Sequence, residues 1–519
     1  MIPGLGLTTP RGWLDDVRIT FDGPNGGPKL AIDSSNNLHV VWSHGRHLHS
    51  EIFYKKLDSF GNILVDDLNL TNALGHSKYP SIAVDSNNDI HIVWNDLRTG
   101  VNGIYYTKLD GSGNTIIDDL CLADSRGNSA FPCVAVDGNK NVHIVWNYEW
   151  GSRLNYMKLD SIGNILINKK WMGTYNVRGP KITVDQFGYL HIVAEYLPGA
   201  ELCYIKADNN GNITPGDITT MEIVLTRGAY VHHPQVALDS QNHVHIIWAD
   251  TKLENVAWPQ LFYMQLDDMG NVIGNGTFRL TFSGRADLPT IDIDSEGNIH
   301  IAYRHYVLEE GHQLYYIKLT NDGLTSIGEI KLSNGKGVGH PSLKVDHGDN
   351  IHIIWDDERD RYSSPELYYK RSQPNLKVSE ETFTESMLIE SLLSSEGTLS
   401  NVTASGDLNG TLNFISFENV TINTGPFAGQ GFSKGEWMAT LEGISYKGKW
   451  KGVSFLNTTE RRIYLKGVIS GDIGGIAEGY LTESASGSGV YDQFQSTCRV
   501  NKIMGEFTSA TINLTGIIN

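Results

Sequence analysis

The stretch Tyr79–Asp96, YPSIAVDSNNDIHIVWND, returns 52 positions later as Phe131–Tyr148, FPCVAVDGNKNVHIVWNY. In both copies a proline leads a short alternating apolar run, an aspartate, a polar turn and then His-φ-φ-Trp, where φ is apolar. The pattern occurs seven times, with successive histidines 48 to 55 positions apart. Seven ordered copies at a regular spacing are typical of a repeat protein. The seven histidines are His39, His91, His143, His191, His245, His300 and His352.

Each repeat carries the pattern of four short strands. The runs on either side of the aspartate turn, such as Ser81–Asp85 and Ile90–Trp94, alternate in polarity and are rich in β-branched residues. A third run, such as Ile104–Leu109, leads through a D-x-x-G-N turn into a fourth. The aspartate can accept hydrogen bonds from the turn backbone, and Gly or Asn tolerates a positive φ. Four antiparallel strands repeated seven times predict an all-β chain with a seven-bladed β-propeller.

The repeat also predicts how the chain is divided. Residues 1–374 form the propeller, and because the last repeat stops after its third strand, the strand at 17–20 is expected to complete the last blade and close the ring. Residues 375–397 are a linker that could form a short helix. Residues 398–519 read as short strands and predict a β-rich C-terminal domain, whether a sandwich, a barrel or a short solenoid.

Composition narrows the classes of partner. The chain has 519 residues and a formal net charge of −18, which argues against nucleic acid or an anionic membrane as the main partner. No run of about 18 apolar residues is present, so no membrane span is expected. The N-terminal residues lack the pattern of a signal peptide, so an export signal or anchor would have to lie outside this sequence.

Sequons leave glycosylation and a cell-surface setting open. Eight Asn-x-Ser/Thr sequons are present, and five of them lie beyond residue 400. Sequons also arise by chance in Asn-rich sequence, so a glycoprotein is one of two readings. The sequons begin at Asn69, Asn212, Asn275, Asn401, Asn409, Asn419, Asn457 and Asn513.

The repeated His, Asp and Trp are interpreted as scaffold, and each histidine is expected to find its partners between neighbouring blades. The seven histidines lie on seven blades and cannot converge on one metal ion, and the aspartates are expected to cap turns. Neither a CxxC pair nor a Dx[DN]x[DN]G loop occurs, so we predict no metal and no cofactor, and calcium has no motif to support it. Cys121 and Cys133 could form a disulfide, which the sequence does not decide.

Function is expected where the copies differ. The segment before each proline and the loop after each second strand fall on one face of a propeller, and here they are rich in Asp, Arg, His, Tyr and Trp. That mixture suits polyhydroxylated ligands such as glycans, although a solvated loop face is the plainer alternative. The predicted ligand-binding residues are Tyr79, Arg98, Trp150, Arg178, His233, Arg285, Arg304, His305, His340 and Arg359.

If the protein is an enzyme, its catalytic residues are expected on the same face. A glycosidase needs two carboxylates roughly 5 to 10 Å apart, and a polysaccharide lyase needs a Tyr or His base. The motif W-x-D-x-[RK], which begins at Trp94, Trp248 and Trp355, is either a loop brace or a binding element. The candidate carboxylates are Asp96, Glu149, Glu195, Asp250 and Asp357, and the candidate bases are Tyr79, His232, His233, His305 and His340.

The chain resembles the sialidase-like propellers with BNR or Asp-box repeats over residues 17–371. The resemblance is carried by the proline that opens each first strand, the Asp/Gly turn and the aromatic end of the second strand. No copy meets the strict S-x-D-x-G-x-x-W pattern. The arginine that sialidases carry just before the first-strand proline is not matched, because Arg178 and Arg285 are out of register. The resemblance therefore implies the architecture and not sialidase chemistry.

Three functions remain open from the sequence. The first is an extracellular or cell-surface recognition protein that binds carbohydrate or protein ligands without catalysis and uses its C-terminal domain for attachment. The second is a carbohydrate-active enzyme, a glycoside hydrolase or a polysaccharide lyase. The third is a structural component of a surface layer, sheath or virion. Convergent acid pairs or a Tyr/His–Arg cluster would favour the enzyme, and a large flat apolar patch would favour assembly.

Overall fold

The computed structural model describes residues 13–372, with short gaps, and the backbones of strands between residues 381 and 518. For residues 46, 173–175, 221–224, 325–327 and the strands beyond 380, only the backbone is described. The gaps are 47–48, 73–74, 124–128, 149–152, 176, 198–200, 214–220, 227–229, 252–257, 274–275, 283, 322, 324, 336, 360–363, 373–380, 388–390, 393–395, 405–409, 422–429, 442–443, 458–461, 472 and 484–505.

The repeats form seven antiparallel sheets of four strands each, which confirms the seven-bladed β-propeller. Strand β1 (Val17–Arg18) belongs to blade seven. Blade one holds β2 (Asn25–Ile32), β3 (Leu38–Arg46), β4 (His49–Leu57) and β5 (Ile63–Asn69). Blade two holds β6 (Ser77–Val84), β7 (Ile90–Asp96), β8 (Gly103–Leu109) and β9 (Thr115–Ala123). Blade three holds β10 (Ala130–Val136), β11 (Val142–Tyr148), β12 (Arg153–Leu159) and β13 (Ile165–Tyr175).

The remaining blades follow the same plan. Blade four holds β14 (Val177–Val184), β15 (Leu190–Tyr196), β16 (Glu201–Ala207) and β17 (Met221–Val224). Blade five holds β18 (Val231–Leu238), β19 (Val244–Asp250), β20 (Gln260–Leu266) and β21 (Phe278–Arg279). Blade six holds β22 (Arg285–Ile293), β23 (Ile299–Val307), β24 (Gly311–Leu319) and β25 (Thr325–Lys331). Blade seven holds β26 (Ser342–Val345), β27 (Ile351–Asp357) and β28 (Glu366–Arg371), with β1 at its outer edge.

Glu366 lies at the seam where the N-terminal strand meets the last blade. Strand β1 pairs with β28 in the register Val17 to Tyr369. The buried Glu366 carboxylate accepts hydrogen bonds from Arg18 Nη2 at 2.7 Å and from Thr20 Oγ1 at 2.8 Å. It also accepts from the Asn25 side chain at 3.0 Å. The seam is therefore a buried polar network in addition to a strand pairing.

Each blade contains a buried chain of Asp, His and Tyr. In blade one, His39 Nδ1 lies 2.8 Å from Tyr54 Oη, and His39 Nε2 lies 3.2 Å from Asp33 Oδ2. Asp33 also accepts hydrogen bonds from the backbone of its turn, so its predicted role as a turn cap is confirmed. The other six histidines make the same two contacts. These contacts lie within one blade. We had expected the histidines to find their partners between neighbouring blades.

The prolines place an irregularity at the start of the first strands. In six blades the register between the first and second strands shifts at the proline, because proline cannot donate a hydrogen bond to the ladder. The residue before that proline has a positive φ of 50° to 64°. These residues, which we call the mouth ring, are Gly27, Tyr79, Phe131, Gly179, His233 and Leu288.

The C-terminal unit is one antiparallel sheet. The described parts of residues 375–397, where a short helix was considered, are strands: β29 (Glu381–Met387) pairs with the distant strand β37, and Ser391–Leu392 also pairs with β37. Threonines 382 and 384 favour the extended backbone. No helix able to span a membrane is found among the described residues. The unit holds β29, β30 (Ser391–Leu392), β31 (Glu396–Ala404), β32 (Gly410–Thr421), β33 (Gln430–Leu441), β34 (Ile444–Asn457), β35 (Arg462–Gly471), β36 (Ile473–Glu483) and β37 (Glu506–Ile518).

Candidate functional site

The first strands of the seven blades surround the central channel, each beside the first strand of the next blade. The residues directly after the prolines occupy the same position in each of these innermost strands, and all but the buried Ser342 are partly exposed. Three of them accept a hydrogen bond from the backbone N–H of the next blade's first strand, as Ser81 Oγ does from Val134 at 3.2 Å. We call this set the channel ring. It consists of Lys29, Ser81, Cys133, Lys181, Gln235, Thr290 and Ser342.

The mouth ring is held from the preceding blade. In four blades, the residue after the second-strand Trp, or after Ala194 in blade four, uses its side chain to accept the hydrogen bond of a mouth-ring N–H in the next blade. Asn95 accepts from Phe131 at 2.9 Å, and Glu195 accepts from His233 at 3.1 Å. Asn147 accepts the same bond from Gly179, and Asp356 accepts it from Gly27. We call these side chains clasps. Glu195, one of the predicted catalytic carboxylates, is therefore a clasp.

An aromatic pair stands at the mouth. Tyr79 is 54% exposed, and its ring centroid lies 4.8 Å from that of the half-buried Phe131. The guanidinium of Arg178 lies 6.0 Å from the Phe131 centroid and 4.0 Å from Glu195 Oε2. Arg178 keeps more than half of its side chain exposed. Two predicted binding residues, Tyr79 and Arg178, are thus accessible on either side of Phe131, which the sequence analysis had not selected.

The carboxylates Asp96 and Asp357 are tied into loop braces. Asp96 is fully buried and accepts hydrogen bonds from Trp94 Nε1 at 3.0 Å and Arg98 Nη2 at 2.6 Å. Burial alone would raise the pKa of Asp96, but these bonds hold it below the ordinary value. Arg98 lies 4.2 Å over the Tyr105 ring. Blade seven repeats the arrangement with Trp355, Asp357, Arg359 and Tyr368.

The other predicted residues lie in blade six, in blade five or outside the described residues. In blade six, Asp287 accepts hydrogen bonds from both Arg304 and Arg285, which leaves Arg285 only partly exposed. His305 is buried, with its ring centroid 4.7 Å from that of Tyr315. Asp250 is buried and accepts from the Tyr230 N–H. Glu149 and Trp150 lie outside the described residues.

Charges from several blades converge on the mouth. Burial lowers the pKa of Lys29 to about 8, and the charge of Lys181 lowers it further, while Asp356 opposes the shift. Partial desolvation by the surrounding mouth residues also lowers the pKa of His233, whose side chain still reaches solvent. Glu195 has its pKa raised by burial, against the attraction of Arg178 and Lys181. Groups from blades one, four, five and seven therefore act on one another.

Sequence analysis missed the two channel lysines. A usable signal was present, because five of the seven channel-ring residues are uncharged while Lys29 and Lys181 are the exceptions. Within the part of the chain that the structure describes, no group of three His, Cys, Asp or Glu side chains is arranged to hold a metal ion. Cys121 and Cys133 are not joined by a disulfide.

Comparisons with known proteins give only distant structural similarities. No family model and no curated protein matches the chain. Similar solved structures include a protein of unknown function from Dyadobacter fermentans, at 10% identity over 70% of this chain and 99% of that one, with a TM-score of 0.46. Polysaccharide lyase Uly1 is 11% identical over 68% and 90%, with a TM-score of 0.45. The phage phi92 endosialidase is 10% identical over 70% and 69%, with a TM-score of 0.42. Similarity at these values carries no information about ligand or reaction.

Proposed function

We propose that the protein is an extracellular or cell-surface recognition protein that binds carbohydrate at the channel mouth. The observation that carries this proposal is the pair formed by the exposed Tyr79 and the half-buried Phe131, flanked by the accessible guanidinium of Arg178. Aromatic faces pack against the apolar faces of sugar rings, and planar polar groups bind hydroxyls. A concave site with a few convergent polar groups is the usual form of a small-ligand site.

The state of the carboxylates favours binding over hydrolysis. A glycosidase needs one carboxylic acid with a raised pKa and a second carboxylate that can reach the sugar. Asp96 and Asp357 are fully buried and each is bonded to an arginine and a tryptophan. Glu195 has the raised pKa, but its carboxylate holds the His233 backbone. These three groups support a scaffold role better than a hydrolytic one.

A glycan array tests the proposal directly. The full-length protein is screened on neutral and acidic oligosaccharides, together with Tyr79→Ala, Phe131→Ala and the control Phe187→Ala. Phe187 is more exposed than either residue and lies in the turn at the opposite end of blade four. We expect the first two variants to lose about fivefold to tenfold in affinity and the control to match the wild type. An equal loss of affinity in all three variants, or no loss in Tyr79→Ala and Phe131→Ala, would contradict binding at the channel mouth.

One observation favours a second function, cleavage of a uronic acid polymer by elimination. His233 is exposed at the mouth, and its backbone and the guanidinium of Arg178 both contact Glu195, so a histidine and an arginine lie close together there. In that reaction the imidazole would take the C5 proton, the C4–O bond would break to form a C4=C5 double bond, and solvent would protonate the leaving oxygen. Mass spectrometry of every array ligand after incubation separates the two functions, because only elimination yields an unsaturated sugar.

A further inference from the structure

The channel ring carries two positive charges and no negative one. Lys29 lies in blade one and Lys181 in blade four, on opposite sides of a ring of seven. The other five members of the ring are uncharged. Among the residues that the structure describes, no carboxylate lies within 4.0 Å of either ammonium group. The two lysines therefore face the channel without an ion-pair partner.

The nearest acidic groups already have other partners. Asp356, which acts on the charge of Lys29, accepts hydrogen bonds from the backbone of Gly27 and from that of His340 at 2.8 Å. Glu195, which Lys181 influences, is the clasp of the His233 backbone. Both carboxylates thus hold the mouth in shape and cannot move to neutralise the lysines.

A contrast within the same strands shows what a paired lysine looks like. Two residues further along the first strand, Lys344 of blade seven donates to Asp292 of blade six at 3.2 Å. There the lysine has its acid on the neighbouring blade. In the channel ring, burial and the second lysine instead push the pKa of Lys29 well below its ordinary value. A charge kept in such a place is stabilised when an anion enters.

We infer that Lys29 and Lys181 bind an anionic group, a carboxylate or a sulfate, of a glycan that enters the channel mouth. The ligand class is therefore an acidic polysaccharide. This inference rests on the proposed glycan binding and adds the charge of the ligand. The protein as a whole carries −18 and repels polyanions, so binding of one requires a local site of this kind.

Affinity electrophoresis of the full-length protein tests the inference. Gels contain polygalacturonate or its methyl ester, and dextran sulfate or dextran, so that each pair differs mainly in charge and the two pairs separate carboxylate from sulfate. We expect retardation at least tenfold stronger with one acidic polymer than with its neutral counterpart. Lys29→Gln/Lys181→Gln should lose that preference. Lys140→Gln/Lys170→Gln, which removes the same charge in the β10–β11 turn and on the outer strand β13, away from the mouth, should keep it.

The outcomes separate the two proposals. Equal retardation by acidic and neutral polymers overturns the acidic ligand but leaves glycan binding standing, and no retardation by any polymer contradicts both. A preference that survives in Lys29→Gln/Lys181→Gln also overturns the inference. If that variant does not fold, amine labelling of the wild type replaces it. Lys29 and Lys181 should be protected from labelling by the acidic polymer and not by the neutral one, and absence of protection overturns the inference.

Discussion

Asp356 in the seventh blade accepts a hydrogen bond from the backbone N–H of Gly27 in the first blade, at 3.3 Å. The same relation joins Asn95 to Phe131 between blades two and three. Each clasp follows the second-strand Trp, or Ala194 in its place in blade four, and bonds to the residue that shapes the mouth. The bonds that tie neighbouring blades together are therefore also the bonds that fix the geometry of the candidate site.

Removal of one clasp should weaken the contact between two neighbouring blades and lower the stability of the protein. Asn147 accepts from Gly179 at 2.9 Å and donates to the Val177 carbonyl, and the asparagine is buried. Asn147→Ala leaves both backbone groups without a partner, so we expect a loss of about 1 to 3 kcal/mol in the free energy of unfolding. Differential scanning calorimetry measures the change in Tm. The exposed Asn139→Ala is the control, and an equal Tm for both variants would refute the clasp.

Substitution of Glu366, where the N-terminal strand meets blade seven, should destabilise the protein more than the loss of one clasp. Glu366 binds Arg18, Thr20 and Asn25 with its carboxylate buried. Glu366→Ala removes the anion from a buried polar network, and we expect a loss of about 3 to 5 kcal/mol. The urea midpoint should fall accordingly, whereas the exposed Glu296→Gln should not shift it. A Glu366→Ala protein as stable as the control would show that the seam does not depend on this network.

The buried Asp–His–Tyr chains predict destabilisation by acid. Burial lowers the pKa of His39, His143, His191 and His352 below 6.5. Below pH 6.5 the unfolded chain binds protons that the folded protein resists, so stability is full above that pH and falls as the pH drops. The lowered pKa values of the partner aspartates add a further loss below pH 3.8. Tm measured from pH 8 to pH 4 should fall steadily, and a flat profile would contradict the assignment.

His91 should matter for stability and not for binding. It is fully buried and lies within hydrogen-bond distance of Tyr106 and Asp85. His91→Ala leaves both groups unsatisfied and opens a cavity, which we expect to cost about 2 to 4 kcal/mol. Calorimetry and glycan affinity are measured on the same preparation. An unchanged Tm together with lost binding would reverse the interpretation of the repeated histidine.

Lys29 should reduce stability at neutral pH. Its folded-state pKa of about 8 lies below the ordinary 10.5, so the folded protein disfavours the charged form. Lys29→Gln should therefore raise Tm at pH 7. The gain should be full below pH 8 and shrink between pH 8 and 10.5, where wild-type Lys29 loses its proton in the folded state. Two results together would contradict this account: a lower Tm for Lys29→Gln than for the wild type at pH 7, and a wild-type Tm that does not change between pH 8 and 10.5. They would show that the Lys29 charge does not destabilise the folded protein.

The sequence predicted the propeller because each blade repeats its own strands and turns, and such local patterns are visible in one copy. It did not predict the clasps, because Asn95 meets Phe131 only after two blades pack together. The positive φ of the mouth ring depends on the register of strand pairing, which periodicity alone does not give. The pairing of β29 with β37, more than 100 residues away, could not be predicted for the same reason.

The candidate site was predicted in part. Tyr79, Arg178, His233 and His340 were selected as variable polar or aromatic residues, and the structure brings them to the mouth. Arg98 and Arg359 looked the same in the sequence but are bound to buried aspartates. Residue type cannot separate an arginine in a brace from an arginine that faces a ligand, because the difference lies in its neighbours.

Hydrogen–deuterium exchange on the full-length protein, with and without polygalacturonate oligosaccharides, tests the central claim most directly. A ligand held at the mouth should slow exchange in Asn25–Ile32, Ser77–Val84, Ala130–Val136 and Val177–Val184, whose amides line the channel. Exchange in the turns at the opposite end of the blades should not change. Protection confined to those opposite turns, or to the C-terminal strands, would contradict the account.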